Sequence, residues 1–194
     1  MDVALKDAGL DLKFVIYNLI AFTKDDGLLQ FVPNSETITK IKKTYPKSNK
    51  QIENYLRDAN KKEDSNGEMT IPCTDEEYEV FLNNYIYSCA GACTATYLLG
   101  IGDRHLENLM IDKNGYFFHI DFGFIFGTEP PLKGKLATKI RLTNSMIAPM
   151  GGVGSAGYCK FEDKFVESFK HLRNKMNYIL NLMYLMINSG MQNL

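Results

Sequence analysis

What this 194-residue sequence lacks narrows it before any motif is read. It has no tryptophan, which excludes nothing, but it also has no apolar run of membrane-spanning length. The most apolar late stretch, residues 178–187, is about half of what a bilayer-crossing helix needs. Charge of either sign is not in excess: the formal net charge is −1, so no global field draws the chain towards nucleic acid or an acidic membrane. Cysteine is sparse, with Cys73, Cys89, Cys93 and Cys159 only, and no two have the Cys-x-x-Cys spacing of common zinc sites. A chain of this size does not need disulfide staples, and Cys89 and Cys93, four apart, share one helix face as buried thiols. Asp2, Lys6 and Asp7 interrupt the first ten residues, so no secretory signal is expected there and a reduced, intracellular setting is.

What is present is a globular composition, 45% apolar and 23% charged, with length enough for one domain, or one large piece of a domain, around a packed core. Near the N-terminus residues 12–17 and 28–32 read as strands, with 19–22 as a third before a turn at 24–27. Pro33 ends the run because it cannot continue a ladder. Residues 35–41 look like the start of a short helix. Residues 40–62 are strongly basic, with lysine at 40, 42, 43, 47, 50, 61 and 62 plus Arg57, but no aromatic stacking pattern accompanies them, so a solvated surface is expected and nucleic acid is not. Ile52, Tyr55, Leu56 and Ala59 fit one face of an amphipathic helix, and residues 61–72 read as a mobile loop.

Thr74 opens the clearest helix, since Thr74 and Glu77 have the spacing of a capping box. Tyr78, Phe81, Leu82, Tyr85, Ile86, Cys89, Cys93 and Thr96 then recur at helical spacing. The small residues Ala90, Gly91, Ala92 and Ala95 would admit a close neighbour, and Gly100 is the stop. Residues 161–189 read as mostly helical, as one helix or two, with Phe165, Phe169, Leu172, Met176, Ile179, Leu180, Met183 and Ile187 as core candidates.

Between these helices lies the most informative stretch, residues 102–123, GDRHLENLMIDKNGYFFHIDFG. Asn114-Gly115 is a pair that readily takes positive φ at both central turn positions, and apolar runs at 109–111 and 117–120 flank it, so a β-hairpin is predicted. A hairpin brings its outer ends together, placing Asp103, Arg104, His105 and Asn108 near Asp121. Such a set suits phosphoryl transfer, which needs metal on phosphate oxygens, a positioned acceptor and local positive charge. Asn108 and Asp121 supply the hard oxygens magnesium prefers. Histidine titrates near neutrality, so His105 is a candidate proton acceptor, with Asp103 orienting it or sharing the task.

Residues 97–123 closely resemble the catalytic-loop and metal-loop block of the phosphoinositide 3- and 4-kinase family, in which the order is Asp-Arg-His followed by Asn. Ordinary protein kinases have His-Arg-Asp. Residues 88–91 resemble the helix before that loop, residues 10–13 the approach to the interlobe hinge, and residues 27–32 the hinge itself. The resemblance implies an α+β fold: a kinase-like large, C-terminal lobe, mostly helical with short strands, at 33–194, preceded at 1–32 by the end of the small lobe and its hinge strands. It implies a catalytic loop at 102–108 and an activation loop at 121–150. Asp103, Arg104 and His105 would be catalytic, Asn108 and Asp121 metal ligands. Gln30, Phe31 and Val32 would hold ATP, and His119 would face the phosphate region. Magnesium, or manganese, would be the metal.

In this family the activation loop selects the lipid headgroup. Lys133, Lys135, Lys139 and Arg141 are scattered here, unlike the dense basic cluster of class I enzymes, and residues 127–131 resemble the Gly-x-x-Pro opening of class III, the vacuolar-sorting class. Residues 52–57 and 88–99 also resemble class III best. Phosphatidylinositol in membranes is therefore the implied substrate and its 3-phosphate the product, with regulatory protein subunits and a peripheral place on endosomal or autophagic membranes. Met150-Gly151-Gly152 is also compatible with a 4-kinase. A related serine/threonine protein kinase would share the Asp-Arg-His order, and a non-catalytic pseudokinase or scaffold piece would share the fold. The rest of the small lobe and a final helical segment are expected to lie outside these residues, leaving the isolated chain inactive.

Overall fold

The computed structural model describes residues 1–23, 26–131 and 139–185. Its element order is α1 (Asp2–Lys6), β1 (Leu19–Ala21), β2 (Gly27–Leu29), β3 (Ser35–Thr37), α2 (Ile38–Thr44), α3 (Gln51–Ala59), β4 (Lys62–Glu63), β5 (Met69–Ile71) and α4 (Asp75–Leu99). Then come β6 (Leu109–Asp112), β7 (Phe117–His119), α5 (Asn144–Ile147), a 3-10 turn (Ala148–Met150), α6 (Ala156–Asn174) and α7 (Met176–Leu185). The class is α+β: helices and three small antiparallel sheets, ordered β1-β2, β3-β6-β7 and β4-β5.

The 25-residue α4 is the axis of the fold. Its start is held by the capping box, with the Thr74 hydroxyl accepting from Glu77 N–H and the Glu77 carboxylate accepting from Thr74 N–H. Its end is Gly100, in the left-handed conformation at φ 56. Tyr78, Tyr85, Ile86, Cys89 and Cys93 point into the main core with Ile38, Ile41, Ile52, Leu56, Leu109, Ile111 and Phe117. Burying each large apolar side chain of this kind contributes roughly 1.5–3 kcal/mol. The small-residue face does admit a neighbour: a Cβ at Gly91 would stand 3.0 Å from Leu12 Cβ and 3.1 Å from the Phe14 ring.

That packing explains the first departure from expectation. Residues 12–17 are not a strand; Lys13 is left-handed at φ 54, and the segment is used to cover α4 instead of joining a ladder. The strand at 28–32 is shortened to β2, paired Leu19↔Leu29 with β1, and Lys24 and Asp25 of its turn lie outside the described residues. Residues 35–41 divide, β3 passing into α2 at Thr37, whose hydroxyl accepts from Lys40 N–H. Residues 61–72 form the bulged β4–β5 hairpin, because the Asp64 carboxylate gathers Asn66 N–H, Glu68 N–H and the Thr70 hydroxyl. On α3, Ile52 and Leu56 are buried as expected but Ala59 is exposed. Ion pairs from Lys40, Lys50, Lys61 and Lys62 to Glu36, Glu53, Asp58 and Glu77 bear out a solvated basic surface.

The β6–β7 hairpin is where the spacing placed it, but its turn is different. Only Gly115 has positive φ, at 86; Gly115 N–H donates to Asp112 O and Asp112 N–H to Tyr116 O, the pattern of a turn closed by a glycine bulge. Any side chain there would meet the Phe81 carbonyl at 2.1 Å. The C-terminal helical region is two helices, broken at Lys175. Leu172 is buried, but Leu180 and the rest of α7 bury nothing fully, and Ile187 lies outside the described residues.

Candidate active site

The catalytic-loop residues sit between the end of α4 and the start of β6, and short main-chain bonds fold them into a tight turn. His105 N–H donates to Asp103 O at 2.9 Å and Asn108 N–H to His105 O at 3.0 Å. Asp103 itself is left-handed at φ 51. Its carboxylate faces His105, with Oδ2 3.7 Å from Nε2, and 38% of the histidine side chain remains exposed. The other ring nitrogen, Nδ1, accepts from Glu107 N–H at 3.2 Å, which assigns the neutral ring's proton to Nε2, on the Asp103 side.

Two links bring Asp121 to this loop. Ile120 N–H donates to Asn108 O at 3.1 Å, so the end of β7 runs beside Asn108. Arg104 supplies the second. Its guanidinium is buried and donates to the carbonyls of Gly102 (2.7 Å), Ile120 (2.8 Å) and Asp121. The side chain expected to act on substrate is therefore turned inwards as a clamp between the two loops. Burial draws its pKa below the ordinary value, opposed by Asp121, Asp103 and Glu129.

Asn108 is 6% exposed and its Nδ2 is held by Asp103 O at 3.0 Å, which leaves Oδ1 as its outward ligand atom. Asp121 is exposed and left-handed at φ 58, and its Oδ1 accepts only from Gly123 N–H at 3.2 Å among the described bonds. These two oxygen donors, one from each strand at the open end of the hairpin, are the residues that could hold a magnesium ion, which keeps waters and phosphate oxygens for the rest of its shell. No group of three or more His, Cys, Asp or Glu residues forms a metal cluster among the described residues, and a magnesium ion of this kind does not require one.

His119 is not at the phosphate side. It is buried, its Nδ1 paired with the Thr96 hydroxyl at 3.1 Å, and burial, with Arg104 second, pushes its pKa down to about 3. Its backbone carbonyl accepts from the Tyr17 hydroxyl at 3.0 Å.

Gln30, Phe31 and Val32, expected as the hinge, line a cavity of about 230 Å³ together with Tyr17, Met110, Phe118 and Ile120. Gln30 N–H is taken by Asn18 O at 2.8 Å. Met110 and Ile120 read in the sequence only as half-buried strand residues; their period-2 alternation was the available signal, since it turns them away from the buried Leu109, Ile111 and His119. Of the cations expected to meet the substrate, Lys139 lies with its Nζ 5.9 Å from the Tyr97 ring and Arg141 is exposed, while Lys133 and Lys135 lie outside the described residues.

Comparison with known proteins gives the family. A family model described as phosphatidylinositol 3- and 4-kinase matches residues 1–194. The chain is 39% identical over 193 residues to phosphatidylinositol 3-kinase pik3 of Schizosaccharomyces pombe, covering 98% of this chain and 22% of that protein. It is 38% identical over 190 residues to the root isoform of phosphatidylinositol 3-kinase from Glycine max, covering 98% and 21%. With phosphatidylinositol 3-kinase VPS34 of Arabidopsis thaliana the identity is 36% over 189 residues, covering 97% and 21%. The chain belongs to the phosphatidylinositol 3- and 4-kinase family. It spans about a fifth of the length of these relatives.

Proposed function

We propose that residues 1–32 are the end of a small lobe with its hinge, that residues 33–194 are the large lobe, and that the parent enzyme moves the γ-phosphoryl group of ATP to the 3-hydroxyl of phosphatidylinositol. The observation that carries this reading is the junction of the two loops, in which Ile120 N–H meets Asn108 O and Arg104 clamps Gly102, Ile120 and Asp121. It supports the reading because it draws Asp103, His105, Asn108 and Asp121 together at the open end of one hairpin.

The cavity lined by Gln30, Phe31, Val32, Met110 and Ile120 would take the adenine of ATP, with the backbone of Gln30 and Val32 holding it. Asn108 and Asp121 hold magnesium, or manganese, which when bound offsets charge on the phosphate oxygens. Asp103 and His105 act as a pair that takes the proton of the attacking hydroxyl: His105 Nδ1 receives it, giving up its bond from Glu107 N–H, and the Asp103 carboxylate steadies the resulting imidazolium on the Nε2 side. Their 3.7 Å separation is long for a hydrogen bond and closes in the complex with substrate. Arg104 positions both loops and does not touch the phosphate. Residues 121–150 meet the headgroup, and the scattered Lys133, Lys135, Lys139 and Arg141 suit an inositol ring with no extra phosphates. The relatives are phosphatidylinositol 3-kinases, which favours the 3-hydroxyl over the 4-hydroxyl and a lipid over a protein acceptor.

The product, phosphatidylinositol 3-phosphate, places the enzyme in membrane trafficking and autophagy, peripheral on endosomal or autophagic membranes and joined to regulatory subunits. No helix among the described residues is long and apolar enough to cross a membrane. The test is product analysis on the full-length parent, with phosphatidylinositol vesicles and a peptide acceptor side by side. Phosphatidylinositol 3-phosphate is expected; 4-phosphate or phosphopeptide would replace this reading with the corresponding kinase. The 194-residue chain alone is expected not to sustain turnover, and an ATP-consumption assay with the same vesicles checks that.

A further inference from the structure

One carboxylate beside the site has no part in the chemistry above. Glu129 lies in the segment after the metal loop, and its Oε2 accepts a hydrogen bond from Asp103 N–H at 2.9 Å. That segment is laid along the catalytic loop by its backbone. Gly102 N–H donates to Phe124 O at 2.8 Å, Phe126 N–H to Leu99 O at 2.8 Å, and Gly127 N–H to Gly100 O at 2.9 Å. The approach is close enough that a Cβ on Gly102 would stand 2.1 Å from Thr128 O and 3.0 Å from Glu129 Oε1.

Asp103 sits at φ 51 in the middle of this contact. A non-glycine residue keeps such a conformation, at a cost of order 1–3 kcal/mol, only where its surroundings over-determine it. Here they do so from both sides. The Asp103 carbonyl is held by His105 N–H and Asn108 Nδ2, both within the catalytic loop. The Asp103 N–H is held by Glu129, which belongs to the other loop. A carboxylate accepting from an amide is a charge-assisted bond, stronger than the neutral bonds around it.

We propose that Glu129 is a positioning residue: its carboxylate, presented by the activation loop, fixes the Asp103 backbone and so aims the Asp103 side chain at His105. Ordering of the loop that meets the acceptor is thereby a condition for assembling the proton-accepting pair. The proposal rests on the lipid-kinase reading above.

The test uses the full-length parent with phosphatidylinositol vesicles and magnesium ATP, and two variants of similar volume. Glu129→Met has no acceptor oxygen at that reach, while Glu129→Gln keeps one. Glu129→Met is expected to lower kcat roughly 10- to 100-fold, the scale of a small misplacement at a reacting group, with KM for ATP and for lipid unchanged. Glu129→Gln is expected to restore most of kcat. Hydrogen exchange at the Asp103 amide, which needs no turnover, is expected to accelerate in Glu129→Met and not in Glu129→Gln. Wild-type kcat in a folded Glu129→Met, or a raised lipid KM at unchanged kcat, would overturn the assignment; the second result would make Glu129 a headgroup contact. If Glu129→Met does not fold, a folded Glu129→Gln with the kcat loss overturns it and one with wild-type kcat and exchange supports it. A wild-type parent that phosphorylates no lipid would overturn the underlying reading, whereas unchanged Asp103 exchange in an active parent overturns Glu129 alone.

Discussion

The two ends of the β6–β7 hairpin carry the same kinds of residue in opposite circumstances. At the turn end, Asp112 is buried and accepts from Asn114 N–H, Asn114 Nδ2 and Tyr116 N–H. Burial raises its pKa, with those bonds pulling the other way. At the open end, Asp121 is exposed and left-handed, and among the described residues its carboxylate accepts from Gly123 N–H alone. The two histidines, both at the open end, also differ: His105 is half-open beside Asp103, while His119, in register with Leu109, is sealed against Thr96. A carboxylate whose lone pairs are filled by its own turn serves the fold. One held at a strained φ with oxygens facing outward is available for a cation.

The sharpest way to break this comparison is to exchange the two aspartates' fates. Asp121→Asn in the full-length parent is expected to lower kcat by about 10³-fold or more, with the melting temperature essentially unchanged. A substantially active Asp121→Asn enzyme would remove it from the metal. His105→Ala should follow, with a fall of roughly 10²- to 10⁴-fold, while His119→Gln stays within a few-fold once folded. Steady-state kinetics on the two variants side by side would reverse our assignment if their ranks were exchanged.

Arg104→Met is expected to damage both fold and activity, because three carbonyls lose one donor. A stability loss of about 3 kcal/mol, read by denaturant unfolding, should accompany reduced activity. If stability were untouched, Arg104 would not be a clamp. Asp112→Ala should cost about 1–3 kcal/mol from the orphaned turn amides and leave kcat near normal below its melting temperature. A folded but inactive Asp112→Ala would erase the contrast between the hairpin's ends.

The last contrast is in the pH dependence of stability. His119 has its pKa depressed in the folded state to about 3 from an ordinary 6.5. Between those values the unfolded chain binds a proton that the native chain refuses, so this contribution is intact above pH 6.5 and is lost as the pH falls towards 3. His119→Gln should flatten that part of the acid limb in urea titrations run at a series of pH values. An identical slope in both proteins would place the acid sensitivity elsewhere.

How much of this was legible in the residues varies with how local the cause is. The capping box of α4, the glycine stop at Gly100 and the hairpin followed from neighbours a few positions apart. So did the gathering of Asn108 and Asp121, because a two-stranded turn can close in only one way. The hairpin at 61–72 was missed because its organiser is one side chain, Asp64, reaching three partners. The strand expected at 12–17 failed because Leu12 and Phe14 found a better site on Gly91 of α4, about 80 residues on. Arg104 and His119 were read by their chemistry alone, and chemistry does not say which way a side chain turns.

By itself, then, the sequence determined the spacing of Asp103, His105, Asn108 and Asp121 and the local signals that start and stop the elements bearing them. Only the tertiary structure decided which acid and which histidine stay open, that Arg104 is a clamp, and that Glu129 reaches Asp103. The reason is physical: caps and turns are settled by atoms within a few residues. Burial, desolvation and the pairing of distant backbone groups depend on what the whole chain brings alongside.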